Sequence, residues 1–159
     1  MPAQTIDQII AGLYAALATW AAANNGDVVL AEAPAHALEL LAGSAPKAWR
    51  VVLLYDGDSP TEDIAEVGIV ENRIDVVLKR NRGLALARGK ELIEGTDARP
   101  AFLKLLSDLR DFVRGYSFGY QTAGQPTYKG AAAVADINGL PLDGYKLSFI
   151  IEAQLPDLT

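Results

Sequence analysis

The 159-residue chain contains no cysteine and only one histidine, His36. Without thiols it can form neither a disulfide framework nor a thiolate zinc site, and it does not need an oxidising compartment. With one histidine, a transition-metal centre would have to be built almost wholly from carboxylates. We therefore expect no metal and no cofactor, and we expect His36 to be a surface or half-buried helix residue.

The chain also lacks several features of exported and nucleic-acid-binding proteins. Its N-terminus has neither the basic start nor the continuous apolar run of a secretory signal, and no apolar run approaches the length needed to cross a bilayer. The net charge of −6 opposes the phosphate contacts that dominate non-specific nucleic-acid binding. The length and the 50% apolar content predict one soluble domain spanning residues 1–159, of cytoplasmic origin.

Two segments have the apolar periodicity of long helices. Thr5 and Gln8 predict a capping box, after which large apolar residues recur at helical spacing as far as Ala23. Asn24-Asn25-Gly26 then supplies residues that tolerate the left-handed conformation at a helix end. The second helix is predicted from Phe102 to Val113 and ends at Gly115. Residues 34–41 fit either a short helix or an irregular loop.

The remaining apolar segments have the composition or alternation of strands. They are 28–30, 49–55, 65–79, 128–137 and 145–151. Residues 49–55 predict a central strand buried on both faces and ended by the turn-rich residues 56–60. Residues 65–79 fit one long bent strand or a tight hairpin, and a turn is predicted around residues 140–144. Because βαβ units do not repeat, we predict an α+β fold in which a largely antiparallel sheet of four to five strands packs against two long helices.

The chemical motifs are incomplete. Residues 115–119 match G-x-S-x-G, but this serine follows a helix and His36 precedes it, which favours a glycine-rich helix exit over a hydrolase. Gly83 and Gly89-Lys90 do not have phosphate-loop spacing, and Pro60 interrupts a calcium-loop pattern. We therefore predict no catalytic residues, and we expect an assembly or interaction protein instead of an enzyme.

Charge and aromatic residues supply the candidate contacts with other subunits or partners. An acidic stretch, 56–66, precedes a basic stretch, 73–90, and this asymmetry fits head-to-tail contact between copies or solvated loop charge. The aromatic residues from 116 to 120 fit either a strand in the core or a contact surface. The candidates are Asp56, Asp58, Glu62, Asp63, Arg80, Arg82, Arg88, Tyr116, Phe118 and Tyr120.

The order of these segments resembles that of the tail terminator proteins of long-tailed bacteriophages; neck and tail completion proteins are similar in layout. The resemblance covers most of the chain but is one of layout, without a diagnostic signature. It rests on the helix over 5–23, the strands around 50–57 and 72–78, the helix over 102–113, and the final strand over 144–151.

The resemblance implies a ring of six subunits that caps the tail tube, ends its elongation and forms the joint to the head. Its partners would be other copies of the chain, the tail tube protein and a head-completion or connector protein, with DNA only as cargo in the channel and no membrane. The protein would be assembled in the bacterial cytoplasm and reside in the virion tail. The acidic and basic stretches would supply two different subunit patches, and residues 79–99 and 115–128 would supply axial contacts.

Two other functions remain open from the sequence. One is a small ligand-binding or enzymatic α+β domain with a pocket between the sheet and the helices. The other is a regulatory domain that binds single-stranded nucleic acid, in which Arg80, Arg82 and the aromatic residues would stack on bases.

Overall fold

The computed structural model describes residues 5–42, 48–60, 68–80, 92–95, 100–117, 125–135 and 141–154. The elements follow the order helix, strand, helix, two strands, helix, two strands. They are α1 (Ile6–Ala23), β1 (Gly26–Ala31), α2 (Pro34–Ala42), β2 (Trp49–Pro60), β3 (Ile69–Arg80), α3 (Phe102–Arg114), β4 (Thr127–Ala135) and β5 (Pro141–Gln154).

The five strands form one sheet in the order β1-β2-β3-β5-β4. Only β1 and β2 are parallel, and the other three pairs are antiparallel. The predicted α+β fold and largely antiparallel sheet are therefore confirmed. The prediction of two long helices is not confirmed in that form, because the described part of the chain has three helices of 18, 9 and 13 residues.

The start and end of α1 follow the predicted signals. Thr5 is the N-cap, and its backbone N–H donates to Gln8 Oε1 at 3.0 Å as part of a capping box. After the helix, Asn25 has a φ of 58°, a left-handed conformation that asparagine tolerates better than most residues. The chain then enters β1 at Gly26.

The length and composition of α1 correct one expectation. Its 18 residues have a mean hydropathy of 1.3, so by these two measures α1 is a candidate membrane span. The alanines account for much of this hydropathy. One side of the helix, formed by Ile9, Leu13, Leu17 and Ala21, is buried in the domain. In this fold α1 thus contributes one side to the core, while its exposed side is rich in alanine.

We call the two faces of the sheet the front face and the back face. The front face is covered by α1 and α3 and contains the larger core. Its buried strand residues are Trp49, Val51, Leu53, Ile74, Val76, Leu78, Leu147, Phe149, Ile151 and Ala153. The back face carries α2, which packs through Ala37 and Leu41 against residues of β1, β2 and β3. Because β2 is covered on both sides, Val51 to Leu54 are all buried, as predicted for a central strand.

Strand boundaries differ from the predictions at two turn-rich segments. Residues 56–60 were expected to end β2, but the strand continues through them with a bulge between Tyr55 and Asp58. Gly57, with a φ of 95°, supplies the conformation that the bulge requires. At the other segment, β5 already includes residues 141–144, where a turn was expected.

The long segment predicted over 65–79 is a single strand where it is described. Glu71 and Asn72 lie inside β3 and pair with Glu152 and Ile151, so the hairpin alternative is wrong for residues 69–80. Asn72 is buried and hydrogen-bonds Ile151 O and the Tyr55 hydroxyl, both at 3.3 Å. Cross-strand hydrogen bonds thus satisfy a polar residue that from sequence alone looked like a turn signal.

Candidate functional surfaces

A cleft of about 390 Å³ opens on the back face between α2 and the sheet. Its walls are mostly apolar, with Leu38 and Leu41 on α2 facing Leu54, Val77 and Val134 of the sheet. Asp56, Asp75 and Lys146 are the charged residues of its lining. A mainly apolar cavity with a few convergent polar groups is the usual form of a small-molecule site.

Asp75 is the most enclosed charged group of this cleft, with 8% of its surface exposed. It lies in the middle of β3, where its Oδ1 accepts a hydrogen bond of 2.9 Å from Ser148 Oγ on β5. Burial raises the pKa of the Asp75 carboxyl; the Ser148 hydrogen bond and the charge of Lys146 act in the opposite direction, and Asp56 adds to the rise. The cleft therefore has one carboxyl that is costly to ionise and one lysine beside it.

Lys79 anchors the helix that forms the cleft wall. The Lys79 side chain is buried, and its Nζ donates to the backbone oxygen of Leu41 in the last turn of α2. A cation at the C-terminal end of a helix binds its unsatisfied carbonyls and stabilises the helix dipole. One residue of the basic stretch therefore has an internal structural contact.

The residues predicted as partner contacts separate into several places. Asp56 and Asp58 are exposed on the extension of β2, and only Asp56 lines the cleft. Arg80 has 9% of its surface exposed, and its guanidinium lies 5.5 Å from the centre of the Phe102 ring in a cation–π contact. Arg80 therefore offers little surface to a partner in this fold.

Tyr116 comes directly after α3 and joins the two helices of the front face. Its hydroxyl donates to Gly12 O on α1 at 3.1 Å, and its ring packs against the core. Six predicted contacts lie outside the described residues: Glu62, Asp63, Arg82, Arg88, Phe118 and Tyr120. The predictions for these residues stay predictions.

Where they are described, the acidic and basic stretches meet within one subunit. Strands β2 and β3 pair antiparallel, so Asp58 lies opposite Asn72, next to Arg73. Arg73 Nη1 donates to Ser59 Oγ at 3.5 Å. Among the described residues of these stretches, Lys79 and Arg80 pair with Arg50 and Trp49, at the other end of β2 from Asp58. The prediction that the two stretches form separate subunit patches stays a prediction.

The two ends of the sheet differ in structure. Within the described residues, β1 pairs only with β2 and β4 pairs only with β5, so the outer side of each edge strand has no strand partner. Leu30 on β1 is 47% exposed, and Ala131, Ala132 and Ala133 on β4 are all exposed. An open edge with small or apolar exposed residues is a ready template for another strand.

The two ends also differ in charge. Residues 5–42, which include the edge strand β1, form α1, β1 and α2, and they contain four acidic residues and no lysine or arginine. These acidic residues are Asp7, Asp27, Glu32 and Glu39. We call this region the acidic end. Asp27 is held by a bidentate ion pair with Arg50 of β2, while Glu32 and Glu39 are exposed.

At the other end, α3 and β4 contain four basic and two acidic residues, and we call this region the basic end. The basic residues are Lys104, Arg110, Arg114 and Lys129. Asp108 and Asp111 each pair with a neighbour on α3, and the hydrogen bond from Arg110 lowers the pKa of Asp111. Arg110, Arg114 and Tyr128 also border a shallow depression beside β4. Among the described residues, the segment that contains β1 is thus net negative, and α3 together with β4 is net positive.

Neither the acidic end nor the basic end was predicted from the sequence, because both depend on the order of the strands in the sheet. The signal of the acidic end is plain in the sequence, since the first lysine or arginine of the chain is Lys47. It has meaning only once the strand order places β1 and β4 at opposite edges. His36 behaves as expected: it lies on α2, and its Nδ1 accepts the Glu32 N–H at 3.0 Å.

No family model matches the chain, and no curated protein is significantly similar to it. Within the described residues, no group of three or more histidine, cysteine or acidic residues is arranged to hold a metal ion. Ser117 is exposed directly after α3, the helix-exit context predicted for it. The geometry therefore offers two candidate functional features, the cleft and the pair of unlike sheet edges.

Proposed function

We propose that this protein is a structural subunit that associates head to tail into a closed ring and acts as a tail terminator, capping a phage tail tube and joining it to the head. The observation that carries the proposal is that, in the described part of the chain, the two edge strands have no outer strand partner and belong to segments of opposite net charge. Ring closure requires two different patches on each subunit, one binding the other. The acidic and basic ends meet this requirement.

The charge distribution also disfavours the commonest alternative assembly, a two-fold dimer. A two-fold contact between β1 edges would bring Glu32 and Glu39 near their own copies, and one between β4 edges would do the same for Lys129 and Arg114. Like charges across an interface suppress association, whereas opposite charges favour it and speed encounter. Head-to-tail contact is thus the arrangement that the electrostatics favour.

The proposal is tested by the native mass of the purified protein across a concentration series, with negative-stain imaging of the same samples. We expect a closed ring, of six subunits if the likeness in layout holds. Its population should fall as sodium chloride is raised, because salt screens charges at the exposed rim. A protein that stays monomeric up to its solubility limit, or a two-fold dimer, would contradict the proposal.

A second function is favoured by the cleft on the back face. Its volume of about 390 Å³ lies within the range of small-molecule sites, and its lining combines an apolar wall with Asp56 and Asp75. A ligand with an aliphatic body and a cationic group fits this lining. The cationic group of such a ligand would offset the negative charge of the enclosed Asp75 carboxylate more completely than Lys146 does alone.

This second function is tested with two matched probes, hexylamine and hexanol, which share an aliphatic chain and differ in charge. Titration followed by NMR should give saturable shifts for the residues around Asp75 with the amine and much weaker shifts with the alcohol. Asp75→Asn should abolish the difference between the probes. Equal, non-saturating effects of both probes on the wild-type protein would rule out a cation site in the cleft.

A further inference from the structure

We propose that the joint between ring subunits is an antiparallel pairing of β4 of one copy with β1 of the next, so that the sheet continues from subunit to subunit. This inference rests on the proposed function and deepens it by naming the interface. Within the described residues, neither β1 nor β4 has a strand partner on its outer side.

The direction of the pairing follows from the strand order. Strand β1 runs parallel to β2, and three successive antiparallel pairings then bring β4 to the direction opposite to β1. If the next copy keeps the same orientation, its β1 meets β4 antiparallel, and the front faces stay on the same side. A small rotation at each such joint closes a ring.

In the alternative joint, the next copy is rotated by half a turn about an axis that lies in the plane of the sheet and runs perpendicular to the strands. Its β1 would meet β4 in parallel and its front face would lie on the opposite side. Repeating this operation returns the third copy to the first orientation, displaced along the same line, which makes an open filament instead of a ring. The same two edges thus give a closed assembly only in the antiparallel form.

The regular part of β4 sets the extent of the joint. Pairing with β5 is irregular between Tyr128 and Gly130 and again between Ala133 and Ala135, which leaves residues 130–133 as the flat stretch. Alanine side chains there allow close approach of another strand. Strand β1 pairs with β2 without irregularity over all of its six residues. We infer a short pairing of about four residues, oriented by the charges around it.

Disulfide trapping tests this joint directly, because the chain has no cysteine of its own. Leu30 pairs with Leu53, and Ala131 and Ala133 pair with Leu147 and Tyr145, so all three side chains belong to the front face. Ala132 pairs with Lys146 and belongs to the back face. A cross-strand disulfide needs both cysteines on one face at short range.

The double variants L30C/A131C and L30C/A133C are oxidised and run on a non-reducing gel. We expect at least one of them to give a ladder that ends at the ring size. L30C/A132C is the matched control and should give no ladder. Each single variant should run as a monomer on this gel, because a covalent dimer of L30C or of A131C would mean a two-fold contact between identical edges.

The outcomes separate this inference from the proposed function. Rings by native mass without a ladder from either front-face pair would overturn the β4 to β1 joint and leave the ring intact. A ladder from L30C/A132C together with filaments would overturn the antiparallel form. A monomer in every variant and in the wild-type protein would overturn both proposals.

Charge reversal gives a second, independent measurement. The variant K129E/R114E should raise the concentration at which half of the protein is assembled by about tenfold, since two exposed ion pairs contribute roughly 0.5 to 1 kcal/mol each. Adding E32K and E39K to the same chain should restore assembly. E94K is the control, because Glu94 is exposed and belongs to neither β1 nor β4. Failure of the fourfold variant to recover would contradict the pairing of these two ends.

Discussion

The ion pair between Asp27 and Arg50 is predicted to hold the edge strand β1 on the sheet. The two residues lie directly opposite each other in the parallel pairing of β1 with β2. Arg50 Nε and Nη2 donate to the two carboxylate oxygens of Asp27 at 3.1 and 2.9 Å. The side chains are 13% and 24% exposed, so solvent screens the pair less than it screens an ion pair in open water.

The expected magnitude follows from this geometry. An exposed ion pair contributes roughly 0.2–1 kcal/mol, whereas hydrogen bonds to charged groups contribute about 1.5–3 kcal/mol. For a bidentate and mostly enclosed pair we expect a coupling energy of about 1–2 kcal/mol in a double-mutant cycle of Asp27→Ala and Arg50→Ala. Each single substitution should cost more than the coupling energy, because it leaves the remaining charge without its partner.

Urea unfolding of the wild-type protein, the two single variants and the double variant measures this coupling. The Lys104–Asp108 pair on α3 is the control, since its N···O distance of 2.8 Å is slightly shorter but its side chains are 69% and 47% exposed. Its cycle should give about 0.3–0.5 kcal/mol. We expect burial of the ion pair, and not its N···O distance, to determine the coupling energy. Equal coupling energies in the two cycles would refute this expectation.

Three further predictions concern single positions. Burial raises the pKa of the Asp75 carboxyl, so ionising this group in the folded state lowers the free energy of unfolding. The loss begins near pH 3.9, where the carboxyl ionises in the unfolded chain, and is complete above the folded-state pKa. In urea unfolding, Asp75→Asn should therefore be more stable than wild type at pH 7 but not at pH 3.5. Gly57→Ala should cost about 1–2 kcal/mol by thermal or urea unfolding, because the bulge needs a φ of 95° that alanine adopts poorly. Tyr116→Phe removes the hydrogen bond to Gly12 O and should cost about 0.5–1.5 kcal/mol, and a cost near zero would mean that the bond does not stabilise the contact of α1 with the end of α3.

Elements with strong periodicity were predictable from the sequence. The capping box of Thr5 and Gln8, the helix from Phe102 to Arg114 and the alternation from Tyr145 to Ile151 all have local causes, and the structure confirms them. The turn-rich residues 56–60 were misjudged because their local preference is overridden by pairing with β3, which the bulge at Gly57 makes possible. Local turn chemistry is a weak guide where a neighbouring strand supplies the hydrogen bonds.

The candidate surfaces were less predictable, because each depends on residues far apart in the chain. The cleft combines α2 with Asp75 on β3 and Lys146 on β5, and no local pattern indicates that these residues meet. The asymmetry of charge recognised in the sequence concerns residues 56–66 and 73–90; of their described members, Arg73 lies next to the residue that pairs with Asp58, whereas Lys79 and Arg80 pair at the other end of β2.

The asymmetry on which the proposed assembly rests is instead between the two ends of the sheet. It arises because the first strand of the chain, β1, lies at one edge, while β5 inserts between β3 and β4 and leaves β4 at the other edge. Strand β1, which has no lysine or arginine, is thereby kept apart from Lys129 on β4. If β4 lay inside the sheet and β5 at its edge, the basic strand would have no free side. The strand order thus places segments of different charge at the two edges of the sheet, and two different edges on one subunit are what the proposed ring requires.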